Sequence, residues 1–109
     1  MQLIPKGRIW IDTEKGSFLG YGRIELLEKI KETGSLRKAA TEMKMSYQQA
    51  WTFVKQMNES VSEPLVVMQR GGKNGGTSFL SETGLMAVET FKKFDEAFQL
   101  FIQSQNIQL

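Results

Sequence analysis

The segment from Ser46 to Lys55 carries hydroxyl, amide and ammonium groups at helical spacing. Ser46 can cap a helix with its side-chain oxygen. The predicted buried face of this helix consists of Ala50, Val54 and Met57. The side chains that project elsewhere are Tyr47, Gln48, Trp51, Thr52 and Lys55. A glutamine amide donates and accepts hydrogen bonds at once, so Gln48 and Gln49 can match the donor and acceptor pattern of a base edge.

A shorter helix precedes this one and must position it. Ser35 is its predicted cap. Its apolar and small side chains share one face and are Leu36, Ala39, Ala40 and Met43. Since Ala40 is small, it allows the second helix to approach closely, which is typical of a helix-turn-helix. The alternative is that the two helices simply cross within an all-helical core.

A predicted β-hairpin follows the helix pair. Pro64 ends helical continuation, and the strands are Leu65 to Arg70 and Thr77 to Leu80. Between them lies GGKNGG, a tip with little steric bulk. Placed after a helix-turn-helix, this hairpin is a wing whose Arg70, Lys73 and Asn74 are suited to a phosphate backbone. The alternative is a flexible turn. No Gly-Lys-Ser/Thr motif opens a helix here, which disfavours a nucleotide-phosphate loop.

The region before the helix pair is predicted to contain a β-hairpin and one helix. The hairpin has strands from Leu3 to Ile11 and from Ser17 to Leu19. Gly20 and Gly22 then break the chain before an amphipathic helix, RIELLEKIKE, that buries one face. Gly34 is its predicted left-handed cap.

The last helix, which Ser81 is predicted to cap, has an apolar stripe wider than one core of this size needs. The wide stripe predicts a symmetric homodimer. The predicted interface residues are Leu85, Val88, Phe91, Phe94, Phe98 and Phe101. The alternative is that the whole stripe packs within one chain. The amide-rich tail from Gln103 to Leu109 is predicted to fray.

Length and composition bound the function classes. A chain of 109 residues predicts one domain, 1–109, with a hairpin over 1–19, the winged core over 22–80 and a last helix over 81–105. The predicted fold class is α+β, mainly α: a winged helix-turn-helix with an N-terminal β-hairpin, a glycine-tipped wing and a long C-terminal dimerisation helix. Six basic and three acidic residues lie between Ser35 and Leu80. Taken alone, this excess is a weak indication of nucleic-acid binding, and scattered surface lysines are the alternative that it favours.

Enzyme, metal and membrane functions are not expected. The chain has no cysteine and no histidine, which excludes thiolate chemistry, histidine bases and their metal sites. An enzyme would need a carboxylate pair or a lysine in a cleft, whereas Glu25, Glu28 and Glu32 are spaced for a solvated helix face. No cofactor is predicted. No apolar run reaches the length of a membrane span or a signal peptide, so we expect a cytoplasmic protein.

Two segments carry a family resemblance. SLRKAATEMKMSYQQAWTFVKQMN followed by LVVMQRGGKNGGTSFLSETG resembles the winged-helix domain of the ModE family of molybdate-responsive transcriptional regulators, related more distantly to the LysR type. The resemblance runs from about Gly22 to Phe94. It implies a recognition helix that carries Ser46, Tyr47, Gln48, Gln49, Thr52 and Lys55. It also implies a wing near the DNA backbone and a dimer through the first and last helices.

The chain departs from the family pattern at two points. Lys44 stands where a glycine is usual, and a non-glycine residue in left-handed geometry costs on the order of 1 kcal/mol. The sequence also stops after the long helix, where molybdate-binding domains follow in full-length members. We therefore expect no molybdate site in this chain.

The resulting prediction is a homodimeric, sequence-specific regulator of transcription that binds double-stranded DNA. Gln48 and Gln49 would read bases, and Tyr47 would contact a thymine methyl or a phosphate. The predicted phosphate contacts are Arg37, Lys55, Arg70 and Lys73. Ser35, the cap of the shorter helix, is also predicted to lie at the DNA. Trp51 is expected to pack against the wing rather than touch DNA. The alternatives are a winged-helix module that binds another protein and a non-specific architectural DNA binder.

Overall fold

Helices carry the core of the computed structural model, which describes residues 1–70 and 76–109. The described elements, in chain order, are β1 (Gln2–Leu3), β2 (Ile11–Thr13), β3 (Gly16–Leu19), α1 (Tyr21–Thr33), α2 (Leu36–Glu42), α3 (Tyr47–Glu59), β4 (Val66–Gln69), β5 (Thr77–Leu80), α4 (Glu82–Gln103) and β6 (Ile107–Gln108). The predicted contacts Lys73 and Asn74 lie outside the described residues. None of the helices in the described ranges is long and apolar enough to cross a membrane.

Serine caps start three of the helices, as predicted. The side-chain oxygens of Ser35, Ser46 and Ser81 accept hydrogen bonds from the amides three residues on, at 3.0–3.1 Å. Each cap satisfies one of the backbone donors that a helix leaves free at its start. The first residue of every one of these helices is therefore fixed by its local sequence.

Helix α1 confirms one predicted boundary and corrects the other. It ends at Gly34, which has a φ of 70° and donates its N–H to the Ile30 carbonyl at 2.8 Å. Its start at Tyr21, however, places Gly22 within the helix, so the predicted break at that glycine is wrong. Gly22 is exposed in the first turn, where the entropic cost of glycine is about 1 kcal/mol. The packing of Tyr21 against Phe91 offsets that cost.

The core lies between α1, α2 and α3, and α4 packs on α1 and β5. Ala39, Ala40 and Ala50 are fully or almost fully buried, and their small side chains let α2 and α3 approach closely. In the turn between these helices Lys44 has a φ of 57°. This is the left-handed geometry that is costly for a non-glycine residue, at the position where the resembling family usually has glycine. The buried side chains are Leu19, Ile24, Leu26, Leu27, Ile30, Leu36, Ala39, Ala40, Ala50, Val54, Met57, Leu65, Val66 and Phe91.

The wing strands β4 and β5 pair antiparallel from Val66 opposite Leu80 to Gln69 opposite Thr77. This hairpin was predicted, with a first strand one residue longer at each end. Ser78 fixes it to the helices, because its N–H donates to the Gly34 carbonyl at 2.9 Å and its hydroxyl accepts from Leu36 N at 3.3 Å. The wing is thereby attached at the corner between α1 and α2.

The N-terminal region differs from its prediction. A hairpin is present, but its first strand is only Ile11–Thr13 and not the whole stretch from Leu3. Gln2–Leu3 pairs instead with Ile107–Gln108, so the prediction that the C-terminal tail frays is also wrong. Pro5 removes a backbone donor between the two pieces, which prevents one continuous strand. The terminal amine of Met1 donates to the Leu109 carbonyl at 3.0 Å and closes the second pairing.

Helix α4 begins and ends inside its predicted span of 81–105, since Ser81 and Ser104 are its caps. Its inner face packs on Tyr21, whose ring meets Phe91 edge to face at 5.2 Å. The Tyr21 hydroxyl donates to Asp95, and this hydrogen bond, together with burial, raises the pKa of Tyr21. The helix thus uses one face for its own chain and leaves another to solvent.

Candidate nucleic-acid interface

The exposed face of α3 places the predicted base-reading residues side by side. Gln48 and Gln49 follow the Ser46 cap in the first turn and are exposed, while Ala50, Val54 and Met57 are buried on the opposite face, as predicted. The exposed face contains no acidic side chain before Glu59. A surface of neutral amides and cations is electrostatically compatible with DNA along most of the helix.

Thr52 has a more restricted chemistry than its sequence position suggests. Its hydroxyl donates to the Gln48 carbonyl one turn earlier, at 2.9 Å. This hydrogen bond occupies the only donor of the side chain and leaves the hydroxyl lone pairs as acceptors and the methyl group as an apolar contact. Lys55 is also engaged, because its ammonium lies 5.4 Å from the Trp51 ring centroid and 3.8 Å from a Glu59 carboxylate oxygen.

A cleft of ≈ 400 Å³ separates the start of α3 from the wing. Four predicted contacts meet there, since Ser35, Arg37, Tyr47 and Arg70 all line it. The Arg37 guanidinium lies over the Tyr47 ring, 4.5 Å from its centroid, so these two side chains form one unit in the lining of the cleft. Two cations line the cleft and none of its described lining residues is acidic, so its charge is compatible with a negatively charged partner.

Trp51 lines the same cleft, as does Met68 of β4. The indole is partly buried and packs against the core. The expectation that Trp51 supports the wing is therefore consistent with its position. The indole also provides a wall for the cleft.

Several cleft residues escaped the sequence analysis. Gln69 and Thr77 form the last described pair of the wing ladder, and both line the cleft with polar side chains. The available signal was their position in the two strands close to the glycine-rich tip. Lys38 and Lys44 are exposed cations near the helix pair, and neither forms an ion pair within residues 1–70 and 76–109.

The residues predicted to form a dimer interface are divided between two surfaces. Phe91 is only 2% exposed and lies in the chain's own core, so its assignment to a partner contact is wrong. Phe98 and Val88 are half-buried, and the Phe98 ring lies directly over Gly7. Phe94 and Phe101, both 61% exposed, and Leu85 at 42% stay available to a partner.

Three helices followed by a two-stranded wing, with a polar recognition helix beside a cationic cleft, define a winged helix-turn-helix protein. The chain belongs to the lysR family of bacterial regulatory helix-turn-helix proteins, whose family model matches residues 21–84. The resemblance to ModE regulators noted in the sequence is confirmed by similarity to curated relatives.

The similar proteins include the molybdenum transport protein ModE of Azotobacter vinelandii, which is 37% identical over 92 residues, 84% of this chain and 34% of that protein. The transcriptional regulator ModE of Haemophilus influenzae is 37% identical over 71 residues, 65% of this chain and 28% of its own length. The DNA-binding transcriptional dual regulator ModE of Escherichia coli K12 is 33% identical over 69 residues, 63% of this chain and 26% of its own.

The chain thus spans about a third or less of the length of these relatives. The family model covers residues 21–84, the segment that forms the first helix, the helix-turn-helix and the wing. Together the family and its relatives support a DNA-binding transcriptional regulator.

Proposed function

We propose that this protein binds duplex DNA sequence-specifically as a homodimer, with α3 in the major groove and the wing on the backbone. The observation that carries the proposal is the α3 face without an acidic side chain before Glu59, next to a cleft that Arg37 and Arg70 both line. The first supplies hydrogen bonds for base edges, and the second supplies charge for phosphates.

Base reading is assigned to the first two turns of α3. Gln48 and Gln49 can each form a bidentate pair with adenine N6 and N7, and each such pair discriminates by about 1–3 kcal/mol. Because the Thr52 hydroxyl donates to the Gln48 carbonyl, the contact assigned to Thr52 is that of its methyl group with a thymine methyl, with the hydroxyl left as an acceptor. This division of roles favours A·T pairs at the centre of each half-site.

Phosphate binding is assigned to the cleft and the wing. Arg37 and Arg70 converge on one volume, so a single strand of the backbone can contact both. Lys73 and Asn74 would extend that contact along the wing tip. Cations on phosphates release counterions, so the affinity should fall steeply with added salt for every sequence.

The dimer is assigned to the outward face of α4. Thr90, Phe94, Ala97 and Phe101 are all exposed and follow one another at intervals of four, three and four residues, which is the spacing of one helix face. Two large rings on either side of a small Ala97 suit close helix pairing with a second copy. Two copies related by a twofold axis would present two recognition helices to a palindromic site.

A pair of substitutions separates base reading from phosphate binding. Gln49→Ala is expected to lower the preference for the selected duplex over random DNA by about tenfold, the loss of one base pair contact. Arg70→Ala is expected to weaken both duplexes equally and to reduce the slope of log affinity against log salt by about one. Fluorescence anisotropy at several salt concentrations measures both quantities. Equal preference in wild type and Gln49→Ala would remove Gln49 from the readers.

A second pair of substitutions tests the dimer. Phe101→Glu is expected to weaken self-association by more than about tenfold, because it buries a carboxylate in an apolar contact. Leu100→Glu is the matched control, since Leu100 is 59% exposed beside Phe101 but on another side of the helix. Sedimentation equilibrium measures both dissociation constants. The assignment of this face fails if the two variants dissociate to the same extent.

A further inference from the structure

We propose that Arg23 is a positioning residue that holds the recognition helix α3 against the N-terminal hairpin β2–β3 and so sets sequence discrimination. The inference rests on the proposed DNA binding, and it assigns a role to a hairpin that lies outside the helix-turn-helix and the wing. Arg23 itself would touch no DNA.

The Arg23 guanidinium joins three elements. Arg23 belongs to α1, and its Nη1 donates to the carbonyls of Ser17 and Phe18 in β3, each at 3.0 Å. Its Nη2 donates to the Gln56 side-chain oxygen on α3 at 2.5 Å. The same group lies over the Phe53 ring, 5.2 Å from its centroid. One side chain therefore connects the first helix, the hairpin and the recognition helix.

Arg23 contacts the side of α3 that also carries the predicted base reader Gln49. Gln49, Phe53 and Gln56 follow at intervals of four and three residues, so they share one side of the helix. Arg23 stacks on Phe53 and donates to Gln56, one turn and two turns after Gln49. On the wing side, Asn58 holds the same helix through Leu65 and Val66. The orientation of α3 is thus fixed from both sides.

The hairpin adds a contact at the end of α3. The ammonium of Lys15, a residue of the hairpin turn, donates to the Glu59 carbonyl at 2.9 Å. A cation there satisfies a free carbonyl and favours the negative end of the helix dipole. Two residues of separate elements, Arg23 and Lys15, therefore tie the C-terminal half of α3 to the same hairpin.

Only an arginine fits this arrangement. Its planar fork donates in several fixed directions and stacks on a ring, whereas a lysine offers one ammonium. The hydrogen-bond partners of Arg23 within the described ranges are neutral groups, and partial burial lowers the pKa of its guanidinium. The charge is therefore used for geometry rather than for an ion pair.

Arg23→Lys tests the proposal because it keeps the charge and removes the fork. We expect the preference for the selected duplex over random DNA to fall about tenfold, the equivalent of one misplaced base contact. Binding to random DNA and its salt slope should stay at wild-type values, since no phosphate contact is lost. Arg8→Lys is the matched control: Arg8 also stacks on a ring, that of Tyr21 at 4.8 Å, but this ring belongs to α1. It should leave the preference unchanged.

Lys15→Gln gives an independent measurement at an exposed position, where misfolding is not expected. It should lower the same preference by about threefold, as expected for a cation at a helix end. The proposal is overturned if Arg23→Lys keeps the wild-type preference, or if it weakens selected and random duplexes in equal proportion, which is the result of general destabilisation. If the wild-type protein prefers no sequence at all, the proposed function fails first, and this inference fails with it.

Discussion

Gly84→Ala is expected to lower the free energy of unfolding by about 3 kcal/mol, a cost of overpacking. Gly84 lies in the first turn of α4, and a Cβ there would be 2.2 Å from the Leu65 carbonyl oxygen. The obstacle is backbone, which cannot rotate away as a flexible side chain could. The same Leu65 carbonyl accepts from Ser81 N at 2.9 Å, so any shift would also disturb the start of α4. Urea denaturation followed by circular dichroism measures the difference.

Gly22→Ala is the matched control for that substitution. Gly22 lies in the first turn of α1, and a Cβ there would meet nothing within 4 Å. The added methyl should stabilise the protein by about 0.5–1 kcal/mol, because alanine loses less entropy than glycine in a helix. A Gly84→Ala protein as stable as wild type would show that α4 and the segment before the wing are not held as closely as described.

Asn58→Ala is expected to destabilise the protein by about 3 kcal/mol and to loosen the wing. The Asn58 side-chain oxygen accepts from Leu65 N at 2.8 Å and from Val66 N at 3.2 Å, and its amide donates to the Val66 carbonyl at 3.0 Å. Removing the side chain leaves three part-buried backbone groups without partners, each costing about 1 kcal/mol or more. Denaturation gives the stability, and amide exchange at Leu65 and Val66 gives the local effect.

Asn106→Ala provides the comparison for Asn58, because it deletes the same group where its hydrogen bonds to Gln2 and Gln108 are exposed. Exposed groups exchange these bonds for water, so the change should be within about 0.5 kcal/mol. Similar losses in the two variants would mean that Asn58 does not anchor the wing to α3.

Local chemistry explains the parts of the fold that could be predicted. The serine caps at Ser35, Ser46 and Ser81, the left-handed Gly34 and the buried face of α3 each depend on residues within one or two turns. The types and the spacing of neighbouring residues are enough to specify such features. The wing was predictable for a similar reason, because a β-branched run, a glycine-rich tip and a second strand lie consecutively in the chain.

Contacts between distant residues explain the parts that were not predicted. The pairing of Gln2–Leu3 with Ile107–Gln108 joins the two ends of the chain, and no local pattern specifies it. Phe91 and Phe94 are both phenylalanines of the same apolar stripe in α4, yet of these two only Phe91 is buried in the core, against Tyr21. The candidate site shows the same limit. The residues of α3 were predictable by type, but the bonds of Thr52 to Gln48 and of Arg23 to Gln56 were not.

The most direct test of the central claim is selection from a pool of random duplex DNA by the purified protein at two salt concentrations, followed by sequencing of the retained fragments. A dimer that reads bases through α3 predicts enrichment of a palindromic motif with half-sites about one helical turn apart, and retention that falls with salt. Retention that falls with salt but enriches no motif would contradict sequence reading and indicate a non-specific binder. No retention at low salt would contradict DNA binding itself and favour a protein partner for the winged helix.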